Sequence, residues 1–399
     1  MSDNVGSTVE SKPLRVLHVL EATLGGTLRY MENIAEATAR LDMVSGFAYG
    51  TERADSRLEP FLARISSLGW SCYPVDITRQ VHPLHDLKAC LRLRQVIVRF
   101  APDIIHCHSS KAGALGRTAV LLRRHRPARV YSPHALAAPL GSIYLKIEKV
   151  LSKSTDRFVA VSDSERREIV NFSLARESSV SVVYPSVDSE YFRPMSRDVA
   201  RQVLGLGSTP LVLAIGRLTP QKDPVSFLHV IKSVYDRQPD VRAIWVGSGE
   251  SEQEFHNHVR AANMEHVVRL VPWQHDVRTY IAAADVFVST SRFESFGYVT
   301  AEALAMKRSV VASDVTGTRD IMSNSFTEWL YPQSRTDLAA NLVLRLLRDP
   351  VASVAIGNLG HYEIERRFST ERMRDSLMGA YHSALGRPYA ELSPQTVAA

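Results

Sequence analysis

Leu14-Arg15-Val16-Leu17-His18-Val19-Leu20 leads through Glu21-Ala22-Thr23-Leu24 to Gly25-Gly26, and from there into a stretch whose apolar residues recur at helical spacing through Ile34 and Ala37. A short run of branched side chains, a glycine pair and then a 3.6-residue period read as strand, tight turn and helix. The same succession returns at 46–49, at 103–108 ahead of a helical 112–123, at 129–131, and at 158–161 ahead of a helical 163–172. Strands alternating with helices imply parallel βαβ units. A second series starts at Leu211–Ile215 and continues through Arg242–Val246, 267–271, 286–290, a helix near 298–306 and 309–312. The fold class is therefore α/β, with two doubly wound parallel-sheet halves.

Length agrees with that division. The chain has 399 residues, and a single core stops growing at about 250 to 300. Pro185, Ser186, Asp188 and Pro194 interrupt the pattern before a helical 196–204, so the expected domains are 1–190 and 191–368, followed by a helix and tail over 369–399. With 45% hydrophobic and 23% charged residues, the chain is an ordinary globular one, neither disordered nor fibrous. No run approaches the roughly 20 apolar residues of a membrane span, and Met1 to Pro13 is polar where a secretory signal would be basic and then apolar. Cys72, Cys90 and Cys107 are odd in number and form no CxxC, so a cytoplasmic, reducing setting is expected.

Net charge is +6, and residues 1–190 carry most of it, with 25 Lys and Arg against 20 Asp and Glu. A basic front half favours anionic partners: phosphorylated small molecules, nucleic acid or an acidic membrane surface. No basic stripe interleaved with aromatics marks a nucleic-acid binder. The same charges would also serve simply to solvate helices.

In open parallel sheets ligands sit beyond the carboxyl ends of the strands, so the loops there carry the argument. There is no GxxxxGK[ST], GxSxG or HExxH, which sets aside P-loop enzymes, α/β-hydrolases and zincins. Gly247-Ser248-Gly249 has Glu252 where a dinucleotide fingerprint needs its third glycine; a nicotinamide dehydrogenase is disfavoured, and a turn approaching a ligand competes with a plain turn. Gly25-Gly26 lets backbone approach a phosphate at a helix N-terminus, or merely turns the chain. Arg217 and Lys222 follow Leu211–Ile215 and suit a diphosphate, one as a fork and one as a point charge; a solvated pair is the competing reading. Glu294, with Ser295-Phe296-Gly297, precedes a helix containing Glu302, so carboxylates for sugar and ribose hydroxyls would stand beside amides that face phosphate. His106 and His108 form an HxH whose rings share one face of a strand, but no carboxylate or cysteine follows at metal-like spacing. His134 offers a hydrogen bond at a strand end or is a buried structural histidine.

Taken in order, these landmarks, together with Val159-Ala160-Val161-Ser162-Asp163-Ser164 and Tyr184-Pro185-Ser186-Val187-Asp188, resemble the retaining glycosyltransferases of family 4. The resemblance covers most of the chain. It implies the GT-B architecture, two Rossmann-like domains facing a cleft with the C-terminal helix packing back. It also implies transfer of a hexose from a nucleotide diphosphate donor, UDP- or GDP-linked, with retention and with no required metal or cofactor. Carried over, Arg217 and Lys222 would bind the diphosphate, Glu294 the donor sugar, Glu302 the ribose, Ser295, Phe296, Gly297 and Gly247 the remainder of the donor, and Gly25 and Gly26 the diphosphate from the other domain. His134 would lie near the reacting centre, and His108 and Lys111 toward the acceptor. Ser186, Glu250 and Asp320 depart from the common pattern, which leaves the nucleotide open. A lipid-linked saccharide at the inner face of a membrane is the acceptor expected, with Arg117, Arg123, Arg124, Arg126 and Arg129 as the basic contact. The rival readings are a GT-B epimerase or phosphorylase and a noncatalytic nucleotide-sugar binding module.

Overall fold

The computed structural model describes residues 12–121, 126–136 and 142–389. The chain forms two compact units: one comprises the segments up to Val159, Ile169–Ser181 and from Arg374 onward, the other Ala160–Glu168 and Val182–Met373. The borders expected at 190 and 368 both fall inside the second unit.

The first unit is organised by β1 (Leu14–Leu20), β2 (Met43–Tyr49), β3 (Ser71–Pro74), β4 (Ile104–His108), β5 (Ala128–Ser132), β6 (Arg157–Ala160) and β7 (Val180–Val182), in the order β3-β2-β1-β4-β5-β6-β7. β1 pairs in parallel with β2 on one side and β4 on the other. Every residue of β4 is buried. Helices cover both faces of such a sheet, which is why its strands read as unbroken apolar runs rather than alternating ones. The second unit repeats the plan with β8 (Leu211–Ile215), β9 (Arg242–Val246), β10 (Val268–Val271), β11 (Val286–Ser289), β12 (Ser309–Ser313) and β13 (Leu330–Tyr331), in the order β10-β9-β8-β11-β12-β13. Its core holds Trp245, Phe227 and Trp329 among the helices that flank the sheet. The chain is thus a GT-B α/β protein.

Strand order reverses direction once in each sheet, at β1/β4 and at β8/β11. At such a switch point the two neighbouring loops leave toward opposite faces and open a crevice beyond the strand ends. The helix Gly25–Thr38 follows β1, and the helix Pro224–Tyr235 follows β8. The latter starts where it does because Pro224 is preset for a first helical position and the Asp223 side chain accepts from the Ser226 amide.

Candidate active site

At the β8/β11 switch point the loop after β8 is stitched to the loop after β9. Gly216 N donates to Val246 O (3.0 Å), Leu218 N to Ser248 O (3.1 Å) and Ser251 N to Leu218 O (2.9 Å). The Trp245 indole adds a bond from Nε1 to Gly216 O at 2.9 Å. Gly247 has φ +142°, and a Cβ there would stand 2.1 Å from Gly216 O, so only glycine admits this approach. Its amide is taken by Val271 O at 2.9 Å. Gly247 therefore supplies room rather than a free donor.

The loops after β8 and β11 converge. Lys222 Nζ meets Glu294 Oε1 in an ion pair, and Ser291 Oγ donates to the same carboxylate oxygen at 2.7 Å. Thr290 Oγ1 donates to the carbonyls of Lys222 and Asp223, each at 2.9 Å. Arg292 Nε reaches Asp223 Oδ2 at 3.0 Å. Burial acts to raise the Asp223 carboxyl, but Arg292 and the Ser226 hydroxyl and amide outweigh it and hold it below the usual carboxylate range. Two sequence-predicted residues, Lys222 and Glu294, are thus brought together by a frame the sequence reading did not single out: Thr290, Ser291, Arg292 and Asp223.

Beyond Glu294 the chain turns at Gly297, φ +98°, into the helix Tyr298–Ala305. That helix has no side-chain cap and no acidic residue in its first turn. Its leading amides lack intrahelical acceptors by geometry and carry the positive end of the dipole. Phe296 is buried against Tyr298 and Phe368, Ser295 is half-buried and Glu302 is buried within the helix. Arg217 is exposed on the loop after β8. A partly exposed ammonium, a carboxylate held by two partners and a glycine-led helix N-terminus therefore share one strand-end region, an arrangement suited to a ligand with both phosphate and hydroxyl groups.

The first unit differs. Gly25 N donates to Asp55 Oδ2 at 3.0 Å, and Arg57, bound to Asp55 at 2.7 Å, donates to Gly25 O at 3.0 Å. Burial raises the Asp55 carboxyl, while Arg57 and the Gly25 and Arg57 amides hold it below its ordinary value. The Gly25 amide, read from sequence as phosphate-facing, already serves a carboxylate thirty positions on; Gly26 is exposed on the first turn of the helix. Lys111 is drawn to Asp86 (2.6 Å) and Gln80 O (2.8 Å).

His108 lies in a cluster with His18, His106 and His134. His18 Nδ1 is 3.2 Å from His108 Nε2, and His108 Nδ1 is 3.1 Å from His134 Nε2. His106 bridges Ser132 Oγ and Tyr381 Oη, both at 2.9 Å. Burial pushes His18 and His134 down to about 3 and His106 and His108 well below the ordinary imidazole value, so all four are neutral. His18, His106 and His108 each offer a nitrogen within 4.8 Å of the others. The trio contains no carboxylate or thiolate to balance a divalent ion, and its ring nitrogens other than His18 Nε2 are engaged by neighbours. The hydrogen-bonded description fits these residues better than a metal centre.

Residues 24–191 match the family description Glycosyltransferase Family 4, and residues 196–361 match Glycosyl transferases group 1. A D-inositol 3-phosphate glycosyltransferase of Saccharomonospora viridis is 31% identical over 307 residues, covering 71% of this chain and 70% of its own. The chain belongs to glycosyltransferase family 4. A second member, the Escherichia coli UDP-Gal:alpha-D-GlcNAc-diphosphoundecaprenol alpha-1,3-galactosyltransferase, is 26% identical over 317 residues, 76% of this chain and 81% of that one. Among solved structures, Anabaena HepE in complex with UDP superposes with a TM-score of 0.79 at 19% identity, covering 93% of this chain and all of that one, and so supports the fold.

The basic membrane contact expected of this family 4 glycosyltransferase loses one of its members. Arg117, taken from sequence as part of a basic membrane contact, is wholly buried: Nη1 bonds Glu148 (2.8 Å) and Thr155 (3.1 Å), and the guanidinium stacks 3.9 Å from the Tyr131 ring centroid. Arg129 is tied to Asp156 at 2.9 Å, Arg126 is exposed, and Arg123 and Arg124 lie outside the described residues. Asp320 is buried and accepts from Ser164 N (2.8 Å) and Oγ (3.1 Å), and burial raises its carboxyl. Its role is a strut between the residues following β6 and the helix Thr316–Ile321.

Proposed function

We propose that this glycosyltransferase takes a hexose from a UDP- or GDP-linked donor and passes it, with retention at the anomeric carbon, to a lipid-linked saccharide in the assembly of a bacterial polysaccharide or glycoconjugate. The observation that carries the reading is the Lys222–Glu294 pair beside the N-terminus of the helix Tyr298–Ala305 at the β8/β11 switch point. The E. coli relative's name, which specifies UDP-Gal and a diphosphoundecaprenol-linked acceptor, and the UDP in the HepE structure support the donor class and the acceptor type.

Arg217 and Lys222 neutralise the diphosphate, Glu294 accepts from donor sugar hydroxyls, Glu302 serves the ribose and the amides at Phe296 and Gly297 face the phosphate. His134 acts near the reacting centre in the acceptor-binding unit. The bond from the anomeric carbon to the leaving phosphate oxygen breaks, the bond to the acceptor oxygen forms on the same face, and the acceptor's proton passes to the phosphate oxygen. Positive charge in this scheme comes from side chains and amides, and no metal or cofactor takes part.

Contact with an anionic membrane rests on the helix Pro83–Phe100. Its Ala89, Leu93, Val96, Ile97 and Phe100 are buried. Its opposite face leaves Leu84, Leu87, Leu91 and Val98 between 52% and 76% exposed, beside exposed Lys88, Arg92 and Arg99. An apolar stripe rimmed with cations suits an interfacial helix. No helix of the described residues is long and apolar enough to cross a membrane.

Calorimetric titration with UDP, GDP and ADP tests the donor site: one nucleotide binds, and Lys222→Ala weakens it. Absence of binding by all three would overturn the reading. For the membrane, cosedimentation with phosphatidylglycerol vesicles should be lost in Leu87→Glu/Leu91→Glu, and retention would refute the contact.

A further inference from the structure

We propose that His18 and His108 are positioning residues that fix the imidazole of His134 as the tautomer protonated on Nδ1, so that His134 works as a neutral hydrogen-bond donor rather than as a base. The inference rests on the reading that His134 acts at the reacting centre.

Strand pairing makes the chain of rings possible. β1 and β4 are adjacent and in parallel register, with His18 opposite His106 and Leu20 opposite His108, while His108 faces Ser132 of β5 across the next pair. Residues two apart on a strand share a face, so His106 and His108 lie together with ring centroids 4.0 Å apart. Trp70 closes the far side, stacked on His18 at 5.3 Å with 9° between planes. At the near end Tyr30 meets His134 edge-on at 4.8 Å. His134 and Ala135 both have positive φ, 57° and 120°. Two successive non-glycine residues in that region cost free energy and persist only where the surroundings determine them.

Direction follows from proton counting. A neutral imidazole has one N–H and one lone pair, so the row His18 Nδ1, His108 Nε2, His108 Nδ1, His134 Nε2 runs one of two ways. His18 Nε2 is buried with no partner among the described residues. If the chain ran from His134 to His18, that orphan would be a buried N–H, and among main-chain groups an unpaired N–H is rarer than an unpaired acceptor. Running from His18 to His134 leaves only a lone pair there. His18 Nδ1–H then donates to His108, His108 Nδ1–H donates to His134 Nε2, and the proton of His134 stays on Nδ1. His106 stands outside the row, locked between Ser132 and Tyr381, and packs against His108 to hold its plane.

The test uses the full chain labelled with 15N at histidine, reading ring nitrogens by long-range proton–nitrogen correlation. His134 should show a protonated Nδ1 and a bare Nε2. His18→Phe, which keeps the stack on Trp70 but removes the donor, should mix the two tautomers at His134. His18→Asn, whose amide nitrogen stands near the place of Nδ1, should restore the single form. With water as acceptor, hydrolysis of the UDP- or GDP-hexose chosen by the calorimetry should lose about 10- to 100-fold in kcat in His18→Phe at unchanged KM, the scale typical of partners that orient a histidine. A proton on Nε2 of His134, or a tautomer indifferent to His18→Phe, would overturn the proposal. So would one-equivalent binding of Co2+ that is lost in His18→Phe, because the rings would then be ligands. Undiminished hydrolysis in His134→Ala would overturn the reading of His134 at the reacting centre, whatever tautomer the nitrogen shifts report.

Discussion

At the β1/β4 junction of the first unit four neutral imidazoles meet and the glycine-loop amide is already satisfied by Asp55, whereas at the β8/β11 junction of the second a lysine and a glutamate face each other beside a helix N-terminus opened by Gly297. Both junctions are the reversal point of a parallel sheet. Topology fixes where a ligand can lie, and side chains decide which ligand. Arg117 in the first unit turns its charge inward against Glu148. Lys222 in the second unit keeps its charge at a strand end, where an anion can reach it.

The largest expected effect tests the inward charge. Arg117→Ala leaves Glu148 half-enclosed without its partner and should cost about 3–5 kcal/mol of stability, read as a lower urea midpoint, with turnover per folded molecule unchanged. A variant as stable as the parent would show that the inward charge of Arg117 is not structural. Next comes Lys222→Ala, which should lower kcat by about 10²- to 10³-fold, or roughly 2.7–4 kcal/mol, with the urea midpoint nearly unmoved. Loss of folding instead of turnover would erase the contrast between the two junctions. Asp55→Ala removes a partly exposed carboxylate from the Gly25 amide and should cost about 1 kcal/mol of stability, with nucleotide affinity unaltered. A changed nucleotide affinity would mean that the first unit's helix N-terminus handles the donor's phosphate after all.

The smallest effects concern pH, and the two aspartates should respond with opposite sign. Asp55 has its folded value lowered, so its contribution is present above the ordinary carboxyl range and is lost as pH falls through the folded value. Asp320 has its folded value raised, so its contribution is full below the ordinary carboxyl range and is lost as pH rises through the folded value. The stability difference between the parent and Asp320→Asn should therefore grow in the parent's favour as pH falls through that window, and the difference between the parent and Asp55→Ala should shrink at lower pH. Urea titrations across the acid range decide both.

Much of this was legible in the sequence where the information is local. The strands flanking both junctions, the glycine turns and the loops bearing Lys222 and Glu294 follow from runs, periods and turn residues. β3, β7 and β13 were missed because four, three and two residues, with Pro74 and Ser181 among them, carry no pattern of their own. His18 was passed over because it sits inside an apolar run, and only the adjacency of β1 to β4, a property of strand order, reveals its neighbours. Arg117 was misread for a related reason: its partner Glu148 lies on the separate helix Ser142–Ser152, and a row of basic residues in sequence does not say which of them faces inward. Asp55 and Ser291 were missed because a hydroxyl or carboxylate that serves another residue's amide or side chain leaves no spacing signature.

Trp245 turns the interlocked loops of the second unit into an optical instrument. Its indole N–H is bonded to the carbonyl of Gly216, the residue immediately before Arg217, and its ring is buried against Phe227 and Phe255. Any ligand that draws the Arg217 loop outward alters the field on that indole, so donor occupancy should be readable as a shift in intrinsic fluorescence without a label, and a Trp245→Phe protein supplies the blank.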